Sequence, residues 1–381
     1  MIARFAPLWI VPDQVFDGDS FVENVALITE NGLVVGMEPV QSAPNGAAVV
    51  RLQGTVTPGY IDLQVNGGGD VLLNADPSPQ GMRRIAAAHR GFGTVGLLPT
   101  LITDAPQVLA AAVASALVVK GEIGLLGLHI EGPHIAIARR GTHAARYIRP
   151  LDRVTMDQVA QLRAAGIAVM ITLAPEAATP DQVRELAQTG AIVSIGHSDA
   201  SADEVRLMLD AGARCFTHLF NAMSPMLNRS PGVTGACINS TAHAGIICDG
   251  IHVADEMVGL SIRARPIGGR TFLVSDAMPT VGGSDHFSLY GQDITLVDGR
   301  LVNAEGSLAG AHVTQGESVA RLINRVGIAP EVALAMATSV PADLIGRPDL
   351  GRIVGRGTQD ILVLNADWSV NGTLQDGLIS A

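Results

Sequence analysis

Val56-Thr-Pro-Gly-Tyr-Ile-Asp-Leu-Gln-Val-Asn-Gly-Gly-Gly-Asp70 is the stretch from which the fold is read. Residues 56–65 form an apolar run that closes on two amides, Gln64 and Asn66, and then on three glycines. An open doubly wound sheet would carry a phosphate-binding G-x-G-x-x-G after its first strand, and the sequence has no such fingerprint here. Seven further apolar runs follow, at residues 94–99, 124–130, 167–173, 191–195, 214–217, 244–248 and 271–275. Their apolar residues are consecutive rather than alternating, which is the pattern of parallel strands buried on both faces. Amphipathic segments at 79–90, 105–119, 152–165, 180–188, 202–211 and 255–265 lie between them. They open on Asp, Ser or Pro, and several close on glycine, among them Gly91, Gly166 and Gly212. Eight such units predict an α/β fold, a TIM-like (β/α)8 barrel spanning residues 54–347.

The flanks read differently. Residues 1–53 and 348–381 carry short β-forming stretches joined by Asn-Gly turns, at Asn31-Gly32 and Asn371-Gly372. Because they lie at opposite ends of the chain, one small β-sandwich built from both termini is expected.

Composition removes several classes of function. Lys and Arg total 25 against 36 Asp and Glu, a net charge of −11 that repels polyanions, so nucleic acid is not an expected partner. The longest apolar run, 108–119, falls short of the roughly 20 residues a bilayer-spanning helix needs. The first sixteen residues lack a cationic segment followed by an apolar one, so no signal peptide is expected. Cys215, Cys237 and Cys248 show no C-x-x-C spacing, which suits a reducing cytoplasm.

In a barrel of this kind, chemistry sits at the C-terminal ends of the strands. The third run ends in His129-Ile-Glu131-Gly-Pro-His134, the fifth reaches Gly196-His197, the sixth His218, and the last Asp276. A histidine at a strand end is often only a hydrogen-bonded structural residue, and an aspartate there often caps a helix. Four such residues on strand ends around one mouth point instead to an open metal site. One carboxylate and two imidazoles, Glu131, His197 and His218, would bind a divalent ion, with Asp276 placed to take a proton from water. Cys215 and Cys248 fall inside strands and read as small buried hydrophobes. Ser198 and Ser275 lack the G-x-S-x-G elbow of a serine hydrolase.

At these residues the sequence resembles the amidohydrolase superfamily and, more narrowly, the N-acetylglucosamine-6-phosphate deacetylase family. The resemblance rests on Pro58-Gly-Tyr-Ile-Asp-Leu-Gln-Val-Asn-Gly67, His129-Ile-Glu-Gly-Pro-His134, Gly141-Thr-His143, Gly196-His-Ser-Asp199, Thr217-His-Leu-Phe-Asn-Ala-Met223, Asp249-Gly-Ile-His252, Ser275-Asp-Ala277 and Ser307-Leu-Ala-Gly310. Most of the superfamily has His-x-His where this chain has Gln64-x-Asn66. Amides are poor ligands beside imidazole, so the resemblance implies one tightly held ion per subunit, Zn2+ being the first expectation.

The resemblance further implies that Glu131, His197 and His218 are metal ligands and Asp276 the catalytic acid and base. Substrate would be bound by Gln64, Thr142, His143, Asn221, Ala222, Arg229, Asp249, His252, Leu308, Ala309 and Gly310, with Arg229 and His252 on the 6-phosphate. The family usually reads Arg-Glu-Pro-Gly where this chain has Arg229-Ser-Pro-Gly232, which removes a partner for Arg229. The implied reaction is hydrolysis of the acetamide of a phosphorylated amino sugar in amino-sugar catabolism, by a homodimer. N-acetylgalactosamine 6-phosphate, another amidohydrolase substrate such as a cyclic amide, and a non-catalytic scaffold are the alternatives.

Overall fold

The computed structural model describes residues 7–303 and 308–380. The first six residues of the N-terminal segment, Ser307 of the Ser307–Gly310 motif and Ala381 lie outside the described residues.

Eight parallel strands form one sheet in strict sequence order. They are β1 (Tyr60–Val65), β2 (Thr94–Ile102), β3 (Gly127–Glu131), β4 (Ala168–Leu173), β5 (Ile192–Ile195), β6 (Cys215–Phe216), β7 (His243–Ile246) and β8 (Thr271–Leu273). The sheet closes just past β8. There the N–H groups of Asn66 and Gly67 each donate to the Ala277 carbonyl at 2.9 Å, and Asp276 N–H donates to the Gln64 carbonyl at 3.0 Å. The barrel expected from the consecutive apolar runs is therefore present, and every residue of β1, β2 and β4 is buried.

Helices α1 (Pro79–Arg90), α2 (Pro106–Val118), α3 (Arg153–Ala164), α4 (Pro180–Gln188) and α5 (Ala202–Asp210) wrap the first part of the barrel. Ser78, Asp152, Thr179 and Ser201 cap their starts by accepting from backbone N–H groups of the first turn. Their apolar stripes, such as Met82 and Ile85 of α1 or Val183 and Leu186 of α4, join Leu97, Leu128 and Val193 in one core.

One element departs from the sequence reading. The run 56–65 is two strands, because Ala48–Pro58 belongs to the terminal sheet and β1 starts only at Tyr60. Gly59 makes the passage. A Cβ there would lie 2.4 Å from Val95 Cγ1 and 2.8 Å from the Asp360 carbonyl oxygen.

The terminal β unit also differs from a sandwich. Ala48–Pro58 pairs in parallel with Leu8–Phe16 and antiparallel with Ile361–Leu364. The strands of the two termini thereby merge into one seven-stranded sheet over a shared core of Ile10, Leu27, Val56, Ile361 and Val363. Beyond β8 a four-stranded antiparallel sheet, His286–Leu289 to Leu308–Ala311, leans over the barrel mouth and packs Leu289 and Ile294 against Ile102 and Met278.

Candidate active site

Glu131 ends β3, and His197, His218 and Asp276 follow β5, β6 and β8 by two or three residues. All four are buried or nearly so. Three of them, His197 (φ 49°), His218 (φ 28°) and Asp276 (φ 53°), hold left-handed backbone conformations that cost a non-glycine residue about 1–3 kcal/mol. Strain of this kind persists only where the surrounding structure imposes it, and here His197 and His218 meet Glu131 at one point while Asp276 lines the same cavity.

The point is well defined. Glu131 Oε1 lies 3.1 Å from His197 Nε2 and 3.0 Å from His218 Nε2, and the two nitrogens are 3.1 Å apart. Ligand atoms at the corners of a tetrahedral zinc site, with bonds of about 2.0–2.1 Å, stand about 3.3 Å from one another, so this triangle fits a single ion. The protonation pattern agrees. His197 Nδ1 lies 2.9 Å from the Arg139 carbonyl, which only accepts, so Nδ1 carries the proton and Nε2 offers its lone pair to the centre. His218 Nδ1 is buried with no hydrogen-bond partner among the described residues. A looser grouping of Glu131 with His143 and His197 has donor atoms within 4.8 Å of one another. Thr103 Oγ1 holds His143 Nδ1 at 2.7 Å, and the 3.0–3.1 Å triangle is the tighter fit.

Without an ion the triangle is held by charge. Burial pushes the Glu131 carboxyl up, but the bonds from His197 and His218 outweigh it and hold the group well below the usual carboxylate range. Burial lowers His218, and the bond to Glu131 with the Glu131 and Asp276 charges raises it on balance. His143, 4.4 Å ring to ring from His197, is pushed down to about 3 by burial and by that neighbour, so it is neutral at working pH.

Gln64 and Asn66 have a visible task. Asn66 Nδ2 donates to Asp276 Oδ1 at 2.7 Å, and Gln64 Nε2 bridges Asp276 Oδ1 and Glu131 Oε1 at 3.1 Å each. The two amides thus orient the aspartate and leave its Oδ2 facing the cavity. Burial and then the Glu131 charge raise the Asp276 pKa, the direction an acid–base group at neutral pH requires.

The strand ends that carry Glu131, His197 and His218 rest on a layer of buried hydroxyls. His129 Nε2, Thr172 Oγ1, Thr217 Oγ1 and Ser194 Oγ are linked at 2.7, 2.6 and 2.6 Å across β3 to β6. Gly196 sits against this layer, since a Cβ there would come within 2.8 Å of Thr217 Cβ and 2.9 Å of Thr172 Cγ2.

A cavity of about 180 Å³ opens above the triangle. Of the residues expected from the sequence, Glu131, His197, His218, Asp276, Thr142, His143, Asn221, Ala222, His252, Leu308 and Gly310 line it. Four do not. Gln64 lies beneath, bridging the carboxylates. Asp249 takes His252 Nδ1 at 2.7 Å and the His252 backbone N–H at 2.8 Å, so it orients the histidine. Ala309 is buried beside an adjoining cavity. Arg229 lies on an exposed loop, residues 225–231, outside the cavity. Asn66, Ile102, Gly141 and Met278 line the cavity without having been expected among the site residues. Gly141 adjoins the Thr142-His143 motif, whereas nothing local in sequence marks the two apolar residues.

Residues 55–373 match the amidohydrolase family. The chain is 35% identical over 364 residues to an N-acetylgalactosamine-6-phosphate deacetylase of Shewanella sp. (strain ANA-3), covering 94% of this chain and 92% of the relative. It is 30% identical to an N-acetylglucosamine-6-phosphate deacetylase of Haemophilus influenzae, covering 93% and 94%. The crystal structure of N-acetylglucosamine-6-phosphate deacetylase from Pasteurella multocida superposes with a TM-score of 0.89 at 32% identity, over 96% of this chain and 97% of that one.

Proposed function

As this chain belongs to the amidohydrolase family, we propose that it is a metal-dependent hydrolase that releases acetate from N-acetyl-D-glucosamine 6-phosphate, in amino-sugar catabolism. The observation that carries the reading is the convergence of Glu131 Oε1, His197 Nε2 and His218 Nε2 on one point beneath a cavity that Asp276 also lines. Those three residues would hold one divalent ion per subunit. Zn2+ suits a set of two imidazoles and one carboxylate with a position left open, although iron, cobalt and manganese accept the same donors. A bound ion of this kind polarises a carbonyl oxygen and makes water a nucleophile at neutral pH.

The remaining steps belong to the chain's own groups. Asp276 Oδ2 accepts the proton that water loses as its oxygen bonds to the acetamide carbon. When the carbon–nitrogen bond breaks, the same Oδ2 returns that proton to the amine, so one carboxyl serves as base and then acid. Asn66 and Gln64 keep Asp276 Oδ1 occupied throughout. Thr103 Oγ1 can donate to His143 Nδ1, which leaves His143 Nε2–H to hydrogen-bond a substrate oxygen. His252, fixed by Asp249, faces the cavity from the loop after β7 and is the group for the 6-phosphate.

Arg229 enters through assembly in this reading. Its loop is exposed at every residue from 225 to 231 and carries Met226 and Leu227, 45% and 57% exposed. We assign the loop to a homodimer contact in which Arg229 of one protomer completes the phosphate site of its partner. The buried free cysteines are consistent with a cytoplasmic enzyme.

A second reading, N-acetylgalactosamine 6-phosphate as the better substrate, draws on the Shewanella relative. Acetate release from the two sugar phosphates by the zinc-loaded protein tests both. Release from the gluco sugar at the higher kcat/KM supports the first reading, faster release from the galacto sugar supports the second, and release from neither rejects both.

A further inference from the structure

Beside the catalytic cavity lies a second one of about 560 Å³, and Gly141, Thr142 and Leu308 line both. It is bounded by the loop after β3 on one side and by Tyr290 of the antiparallel sheet on the other. Two arginines, Arg140 and Arg146, face it.

The charge balance of that loop is uneven. Arg139 pairs with Asp199 at 2.7 Å and Arg149 with Asp152 at 2.8 Å. Arg140 and Arg146 form no ion pair among the described residues. Both are nevertheless held: Arg140 Nη1 donates to the His143 carbonyl at 3.0 Å, and the Arg146 guanidinium lies 4.7 Å over the Tyr147 ring and 5.9 Å from that of Tyr290. Asp104, the carboxylate whose charge acts on Arg146, already accepts from Asn74 at 2.9 Å and from Ala105 N–H at 2.7 Å. On a chain of net charge −11, two positioned and unneutralised guanidinium groups beside a catalytic cavity are what an anionic ligand group would meet.

Topology says which part of a substrate reaches them. In an eight-stranded barrel the loops after β3 and β7 stand opposite one another across the mouth. If the acetamide sits over the metal triangle and the 6-phosphate reaches His252, past β7, the sugar ring runs from the centre toward β7. Its C1 and C3 oxygens, which flank the acetamide-bearing C2, then point toward the opposite rim.

We propose that the second cavity is a subsite for an acidic substituent, carboxylate or phosphate, on the C1 or C3 oxygen of the amino-sugar phosphate, bound by Arg140 and Arg146. The inference rests on the deacetylase reading above.

The test compares kcat/KM for three compounds with the zinc-loaded protein: N-acetylglucosamine 6-phosphate, its 1,6-bisphosphate, and its 3-O-carboxyethyl ether. Wild type should favour one of the acidic compounds over the plain sugar phosphate by tenfold or more. Arg140→Gln/Arg146→Gln should erase that preference and leave the plain sugar phosphate within twofold. Since Arg140 also braces the His143 backbone, Arg146→Gln alone is the second variant, expected to reduce the preference by at least threefold. No preference in wild type, or one that survives the double substitution, overturns the subsite. Turnover of none of the three compounds overturns the deacetylase reading itself, a distinct outcome.

Discussion

Replacing Asp276 with asparagine separates chemistry from metal binding. Asp276 Oδ1 already takes two amide donors, Asn66 at 2.7 Å and Gln64 at 3.1 Å, which leaves Oδ2 as the proton carrier of the proposed reaction. An asparagine keeps an oxygen for those donors and sets an NH2 group where Oδ2 stood, which neither takes nor returns a proton. General acid–base assistance is worth roughly 10²–10⁴-fold, and a group used in both steps belongs at the upper end, so kcat should fall about 10⁴-fold, ~5 kcal/mol. Stability of the metal-free protein should move the other way. Burial and the Glu131 charge raise the folded Asp276 pKa, so its stabilising contribution is complete below the ordinary aspartate value and is lost as pH rises through the raised one. The uncharged variant escapes that loss and should melt at or above the wild-type temperature near pH 8. Elemental analysis, acetate release and thermal unfolding on the same preparations read all three quantities. Turnover within tenfold of wild type would refute the role of Asp276, and loss of the metal together with activity would place it among the ligands instead.

Other expectations follow from the same geometry. Asp249→Asn removes the charge that fixes His252 at 2.7 Å and should raise KM for the sugar phosphate about tenfold with kcat nearly unchanged, as a hydrogen bond to a charged group of ~1.5 kcal/mol implies; an unchanged KM counts against His252 as the phosphate group. Gly196→Ala forces a methyl to within 2.8 Å of Thr217 Cβ and should cost about 1–3 kcal/mol in denaturant unfolding, with weakened metal affinity; an unshifted midpoint would show that the barrel wall yields freely. Burial raises the Asp62 carboxyl to about 7, so its contribution is intact below about pH 4 and is lost as pH rises through 7. Asp62→Asn should accordingly gain stability over wild type by up to about 4 kcal/mol at pH 8 relative to pH 4, and equal pH profiles would contradict the shift. Chelation should abolish acetate release and lower the melting temperature, with zinc restoring both; full activity after exhaustive chelation would exclude a metal enzyme.

The barrel was legible because strands buried on both faces leave unbroken apolar runs, and each run that ends in a charged or imidazole side chain marks the mouth. Glu131, His197, His218 and Asp276 stood out on that ground, and the structure brings all four to one cavity, three of them within 3.1 Å of one another. The left-handed backbones at His197, His218 and Asp276 were not visible, because the enrichment of His and Asp at positive φ is too weak to single out a position and the conformation is imposed by packing. The break at Gly59 was hidden inside a continuous apolar run: both strands it joins are buried there, and only the contact with Val95 shows why glycine is required. The hairpins over the mouth alternate weakly, with most outward residues exposed, and gave no run to read. Arg229 was named by resemblance alone, and the structure places it on an exposed loop outside the cavity of its own chain.

Anomalous diffraction at the zinc absorption edge, from crystals of the zinc-loaded protein, bears most directly on the metal centre. The expected result is one peak per subunit within bonding distance of Glu131 Oε1, His197 Nε2 and His218 Nε2, with Asp276 Oδ2 facing the open coordination position. A peak elsewhere, a second ion beside Gln64 and Asn66, or no peak at full zinc loading would contradict it.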